Sequence, residues 1–166
     1  AFRASNQLYC AEGFQLRKDS ANEPVDPMPE LVGKQMLEMS RLRKRGVIFE
    51  VPRDALTTIP KTQCYVRGGR GRLPLAVSQP PHIIVDEARR FAVYCDELIA
   101  VPPRQIGISG SSSQASLLKA LSLYLVSDFA KYHQFLTTPQ WGISTSIATR
   151  RSLGELPVPF WEFADS

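Results

Sequence analysis

The sequence is poor in the residues that build disulfide frameworks and metal sites. It contains three cysteines, Cys10, Cys64 and Cys95, and two histidines among 166 residues. The cysteines are odd in number, widely spaced and without a Cys-x-x-Cys pair, which excludes the usual spacing of a zinc site. His82 and His133 share no ligand spacing with them. We therefore predict reduced thiols and no bound metal.

Long apolar runs and targeting patterns are also missing. No stretch reaches the roughly 18 to 20 uncharged apolar residues that a membrane helix needs. Residues 1–10 lack the basic-then-apolar order of a signal peptide. These absences predict a cytoplasmic protein with no membrane partner. Because the chain opens on Ala1 without a start methionine, we expect it to be a piece of a longer protein.

Recognisable catalytic motifs are absent as well. A nucleophile elbow on Ser109 needs glycine where Ser111 stands, and a phosphate-binding loop needs lysine directly after Gly110. The segment can still anchor one DNA phosphate at the start of a helix, or serve only as a helix cap through Ser113. No glycine loop for S-adenosylmethionine and no Asn/Asp-Pro-Pro-Tyr/Phe motif occurs. We therefore predict no catalytic residues and no cofactor in this chain, and an unrecognised enzyme site is the least favoured alternative.

The residues that are present predict an α+β fold. Apolar residues make up 43% of the chain, enough for one compact unit with an N-terminal loop and helix over residues 1–46 and a second part over residues 47–166. Short, mostly antiparallel strands are expected between about 47 and 109, followed by two helices between about 114 and 136. The predicted strands are residues 47–51, 73–78, 82–85, 90–95, 98–101 and 105–109, with a three-strand meander from His82 to Val101. In the N-terminal part, apolar residues from Leu31 to Leu42 recur at helical spacing, and Gly46 is expected to end that helix.

Positive charge is concentrated in the middle of the chain. Residues 41–72 carry nine basic and two acidic side chains, whereas the flanking regions are slightly acidic. The sequence Arg67-Gly68-Gly69-Arg70-Gly71-Arg72 places three guanidinium groups on what we predict to be a flexible loop. Such a loop suits close approach to a phosphate backbone. The alternatives are a solvated loop here and a solvated helix end over residues 41–45.

Several short segments together resemble a known family. In chain order they are FAVY (91–94), VPPRQIGIS (101–109), LLKAL (117–121), LVSDF (125–129), WGI (141–143) and LGELPVP (153–159). Their order is similar to the carboxy-terminal specificity region of large adenine-specific DNA methyltransferases of restriction-modification and phage-defence systems. More distantly, it is similar to a target recognition domain of type I restriction specificity subunits. The resemblance covers about residues 47–160.

The resemblance implies a target-recognition-like fold and a non-catalytic module that selects a sequence in double-stranded DNA. An upstream methyltransferase domain or subunit would bind S-adenosylmethionine, flip the adenine and methylate it. The DNA-binding residues we predict are Arg67, Arg70, Arg72, Arg53, Lys61, Arg104, Arg150, Arg151 and Trp141. Trp141 would stack against DNA or else fill the core. The alternative function is a protein-interaction module in which the apolar helices and the Leu-Pro-Val-Pro tail dock a methyltransferase or nuclease partner.

Overall fold

The computed structural model describes residues 8–19, 24–42, 50–88 and 91–137, together with Leu153 and Leu156. In these ranges the chain has an α+β fold, as predicted. Its strands are β1 (Tyr9–Glu12), β2 (Val25–Pro27), β3 (Gln35–Leu37), β4 (Leu56–Thr58), β5 (Tyr65–Arg67), β6 (His82–Val85), β7 (Ala92–Cys95), β8 (Ile99–Ala100) and β9 (Ile106–Ser109). Its α-helices are α1 (Met39–Leu42), α2 (Arg72–Ala76), α3 (Ala115–Val126) and α4 (Asp128–Thr137).

A four-stranded antiparallel sheet forms the centre of the fold, with the strand order β1-β9-β6-β7. Every residue of β6 and β9 is buried. Because both faces of β6 are covered, Ile83, Ile84 and Val85 follow one another with no polar residue between them. In β9, Ile106 and Ile108 alternate with the small residues Gly107 and Ser109, a spacing that is typical of a strand.

The two faces of the central sheet pack against different partners. On one face, Ile83 and Ile108 pack against the buried side chains of α3, including Leu118 and Leu121. Leu153 and Leu156 belong to the same cluster. On the other face, alternate residues of the same strands join a second cluster that contains Leu37, Val77, Ile84, Val93, Ile99 and Val101. Because successive side chains of a strand point to opposite faces, the same strands contribute residues to two separate core clusters.

Two smaller sheets complete the architecture. Strand β3 lies between β4, which is antiparallel to it, and β8, which is parallel to it. Strands β2 and β5 form an antiparallel pair, in which Val25 lies opposite Arg67. A third core cluster, centred on Phe14, Leu31 and Ile59, lies beneath these elements.

The predictions for the second half of the chain are confirmed with small shifts of the ends. The strands expected at 82–85, 90–95, 98–101 and 105–109 correspond to β6, β7, β8 and β9, and the two helices correspond to α3 and α4. A capping box of Ser111 and Gln114 begins the 3-10 turn that leads into α3, and in it the Ser111 N–H donates to Gln114 Oε1 at 2.8 Å. The expected three-strand meander is wrong in one respect, because β8 leaves the central sheet and pairs with β3.

Two predictions for the first half are wrong. The helix expected from Leu31 to Leu42 is replaced by a 3-10 turn, β3 and the one-turn helix α1. The strand expected at 73–78 is the helix α2. In both places the apolar pattern of the sequence favours the predicted element, but pairing and packing with distant segments determine the structure that forms. The helix end expected at Gly46 lies outside the described residues. Most of the strand expected at 47–51 lies outside them as well.

Candidate nucleic-acid interface

Four arginines meet around one cleft of about 820 Å³. One wall is the segment from Val66 to Pro74, which contributes Arg67, Arg70 and Arg72. The facing side is made by Pro103 and Arg104, together with the segment that runs from Ala11 through Gln15. Arg104 is 32 positions beyond Arg72 in the sequence, so the fold has added a fourth guanidinium group to the predicted cluster.

The segment that carries Arg67 and Arg70 is a hydrogen-bonded turn. The Arg70 N–H donates to the Arg67 carbonyl oxygen at 2.9 Å, and Gly69 has a φ of 72°. A positive φ at the third position of such a turn is the geometry of type II, which favours glycine there. The Gly69 N–H also donates to Asp26 Oδ2 at 2.6 Å. The predicted loop is therefore shorter than expected, because Arg67 ends β5, a bonded turn follows, and Arg72 begins α2.

Gly71 lets this wall pass close to the core. A Cβ atom at this position would come within 2.6 Å of the Met28 sulfur and 3.0 Å of Val66 Cγ2. The missing side chain leaves Met28 and Val66 buried directly beneath the backbone. The flanking Arg70 and Arg72 are exposed. Close packing on one side of the chain thus leaves the two neighbouring guanidinium groups in solvent.

Hydrogen bonds hold α2 against the central sheet. The Ser109 hydroxyl donates to the Ala76 carbonyl at 2.9 Å, and the Ser78 hydroxyl donates to the Pro74 carbonyl at 2.7 Å. Ser78 Oγ in turn accepts from the Val101 N–H at 3.1 Å. Because Ser78 is buried and Ser109 nearly so, these bonds are shielded from water. The wall that carries Arg72 is therefore attached to the segment that leads to Arg104.

Arg104 has an unfavourable backbone conformation. Its φ is 64°, and it is the one non-glycine residue in the described part of the chain with a positive φ. For a side chain with a Cβ atom, this region costs about 1 to 2 kcal/mol. The Gln105 N–H donates to the Pro102 carbonyl at 3.2 Å, which closes the turn around Arg104. Residues held in such conformations occur preferentially at functional sites.

Within the described part of the chain, the four guanidinium groups have no partners. Across the residues that the structure describes, none of them forms an ion pair or a side-chain hydrogen bond. Other arginines do: Arg41 Nε lies 2.8 Å from Glu38 Oε2, and Arg53 Nη1 lies 2.8 Å from Glu97 Oε1. Guanidinium groups present five donors in a planar fork, so four unpaired ones around a cleft form a strong site for anions.

Two other predicted DNA-binding residues that the structure describes lie away from the cleft. Arg53 is exposed on a 3-10 turn with its carboxylate partner Glu97, and Lys61 is exposed on another 3-10 turn. Neither residue lines the cleft. Trp141, Arg150 and Arg151 fall outside the described residues. Of the nine predicted positions, the structure thus brings together Arg67, Arg70, Arg72 and Arg104.

Two polar residues of the cleft escaped the sequence analysis. Glu12 and Gln15 are exposed residues that line the cleft near Arg104. Glu12 ends β1, a strand whose burial pattern is exposed, buried, buried, exposed. Because β1 lacks the alternation of apolar and polar residues that marks a half-buried strand, nothing in the sequence predicted where Glu12 would lie.

The titratable residues of the core are not part of the cleft. Burial lowers the pKa of His82 from 6.5 to about 4, partly offset by a hydrogen bond to the Ile99 carbonyl. Burial raises the pKa of the Cys95 thiol, and the charges of Asp96 and Glu97 raise it further. The described lining residues include no histidine, cysteine or serine. The cleft therefore offers positive charge and hydrogen-bond donors, together with the carboxylate of Glu12.

A second exposed feature lies on the outer helix. Phe129, Tyr132, Phe135 and Leu136 of α4 are 63%, 64%, 49% and 62% exposed. The opposite side of the helix, by contrast, buries the polar Gln134. Contiguous exposed apolar residues of this kind commonly mark interaction surfaces.

Two kinds of feature are absent from the described residues. No group of three or more histidine, cysteine, aspartate or glutamate side chains could hold a metal ion. No helix there combines the length and the apolar character needed to cross a membrane.

Comparison of the chain with models of known protein families, with curated proteins and with solved structures finds no match. The function is therefore inferred from the arginine cleft and from the sequence itself.

Proposed function

We propose that this chain binds double-stranded DNA through the arginine cleft. The observation that carries this proposal is the convergence of four guanidinium groups, on Arg67, Arg70, Arg72 and Arg104, around one cleft, none of them paired with a residue that the structure describes. Three of them lie on one bonded wall and the fourth faces them from a strained turn. Phosphate oxygens of a DNA backbone would supply the missing acceptors.

The cleft would take part in recognition rather than in chemistry. Its polar groups suit backbone contacts, base-edge contacts or both. We propose that the chain is the target recognition module of an adenine-specific DNA methyltransferase of a restriction-modification system. The catalytic domain or subunit that binds S-adenosylmethionine would be a separate part of the protein. Support for this finer assignment comes only from the resemblance of the sequence segments.

The experiment is to measure binding of a purified random duplex pool at several salt concentrations and to sequence the retained DNA. Each phosphate contact contributes about −0.9 to the slope of log affinity against log salt. Four such contacts give an expected slope of about −3 to −4. Replacing Arg67, Arg70 and Arg72 with alanine should weaken binding more than tenfold and make the slope shallower by about 2 to 3.

A matched control removes the same charge from other surfaces. Lys18, Lys34 and Lys131 do not line the cleft, and alanine at these three positions should leave most of the affinity and the slope in place. A folded cleft variant that binds as tightly as the unaltered chain would refute the assignment.

A second candidate function is supported by the exposed aromatic side of α4. We infer that Phe129, Tyr132 and Phe135 would then dock a methyltransferase or nuclease partner. Light scattering of the chain with such a partner would test it. A shift in mass that Tyr132→Ala abolishes, without any binding to DNA, would favour this function over the first.

A further inference from the structure

The charge around the cleft is not uniform. Glu12 is the single carboxylate among the described residues that line it, and it shares the cleft with four arginines. A site that only neutralises phosphates gains nothing from a carboxylate, because the carboxylate repels the phosphates it must hold. The ligand that fits both groups carries anionic phosphates and also a hydrogen-bond donor.

The backbone around Glu12 is held in place on both sides. Within β1, Glu12 lies opposite Ile106 of β9. The next two residues continue the attachment, since the Gly13 N–H donates to the Gln105 carbonyl at 2.9 Å and the Phe14 N–H donates to the Val101 carbonyl at 2.9 Å. These carbonyl groups flank the turn that carries Arg104, so Glu12 has a defined position relative to that guanidinium group.

Glu12 also keeps its hydrogen-bonding capacity free. It is exposed, and no ion pair or side-chain hydrogen bond links it to any residue that the structure describes. An ionised carboxylate only accepts hydrogen bonds. On DNA, the exocyclic amino groups of cytosine N4 and adenine N6 are the donors that base edges offer in the major groove, and glutamate characteristically accepts from cytosine N4.

We propose that Glu12 reads the amino edge of a base while the surrounding arginines hold the adjacent phosphates. This inference rests on the proposed DNA-binding function and assigns one specificity-determining residue within the same cleft. The bound segment would therefore carry cytosine or adenine at the position that faces Glu12, whereas guanine or thymine there would present the carbonyl acceptors O6 or O4 to a carboxylate.

The test compares the unaltered chain with Glu12→Gln in the same duplex selection. Glutamine has the same length but removes the charge and can donate to O6 or O4 as well as accept. We expect the unaltered chain to enrich cytosine or adenine at one position by about tenfold or more, and Glu12→Gln to lose most of that preference. Because one repulsive charge is removed, binding of unselected DNA should become several-fold tighter.

Glu50→Gln is the matched control, because Glu50 is exposed and does not line the cleft. It should retain the base preference. Retention of the preference by Glu12→Gln would overturn the role of Glu12 while leaving DNA binding by the cleft intact. A uniform loss of affinity for all sequences, or binding without any base preference in the unaltered chain, would also overturn it. If the unaltered chain fails to bind DNA at low salt, the proposed function itself is wrong.

Discussion

The stability of this protein should fall steeply in mildly acidic solution because of one buried histidine. His82 begins β6 and has no exposed surface. Its Nε2 lies 3.1 Å from the Ile99 carbonyl oxygen, so the neutral ring donates there. Its Nδ1 is buried and lacks a hydrogen-bond partner. Protonation would therefore place an unpaired charged N–H group inside the core.

The size of the effect follows from the pKa of His82. Burial lowers it from 6.5 to about 4 in the folded protein, so the unfolded chain takes up the proton first as the pH falls. The free energy of unfolding is fully retained above pH 6.5 and declines between 6.5 and 4. The total loss is about 3 kcal/mol, of which about 2 kcal/mol is lost by pH 5.

The assay is urea unfolding of the unaltered chain and of His82→Gln at about pH 7.5 and about pH 5. We expect the unaltered chain to lose about 2 kcal/mol between these two conditions. His82→Gln should be less stable at neutral pH, because the substitution disturbs packing, but its stability should change much less with pH. His133→Gln removes the only other histidine, and it should keep the pH dependence.

Two results would refute the reasoning. One is a flat pH profile of the unaltered chain across this window. The other is a profile of His82→Gln that falls as steeply as that of the unaltered chain, since the acid sensitivity would then come from other groups.

Two further predictions concern the backbone beside the cleft. At Arg104, where φ is 64°, glycine should be more stable than alanine by about 1 kcal/mol, the reverse of the usual order, because only glycine avoids the left-handed penalty. Both substitutions should weaken DNA binding, and equal stability of the two variants in urea unfolding would contradict the strain at this position. At Gly13, a Cβ atom would clash with the carbonyl oxygens of Pro102 and Val101. Gly13→Ala should therefore lower the free energy of unfolding by about 2 kcal/mol or more, and an unchanged urea midpoint would show that these segments can separate.

The strands and helices of the second half were predictable because burial there is continuous. Strands β6 and β9 are covered on both faces; β6 contains a run of three branched apolar residues, and β9 has isoleucine at every second position. Helix α3 presents Leu118, Leu121 and Leu125 to the sheet at helical spacing. In these segments, local propensity and the tertiary environment favour the same structure.

The first half was less predictable because several of its strands depend on partners that are distant in the sequence. The residues of β3 have no strong strand preference, and the strand exists because β4 and β8 lie on either side of it. The segment of α2 contains Pro74 between two leucines, and this apolar pattern predicted a strand instead of a helix. In the structure, the proline lies in the first turns of the helix, where its missing N–H costs least.

The candidate site likewise has a part that the sequence predicts and a part that depends on the tertiary structure. The sequence alone determined that positive charge gathers between residues 41 and 72, and that glycines separate the three arginines of the predicted loop. Only the tertiary structure brought Arg104 and Glu12 to that turn, and placed Arg53 against Glu97 instead. The physical reason is that charge and turn preference are properties of neighbouring residues. The site, by contrast, depends on contacts between parts of the chain almost one hundred positions apart: the pairing of β1 with β9, and the hydrogen bonds from Gly13 and Phe14 to the Val101–Gln105 turn.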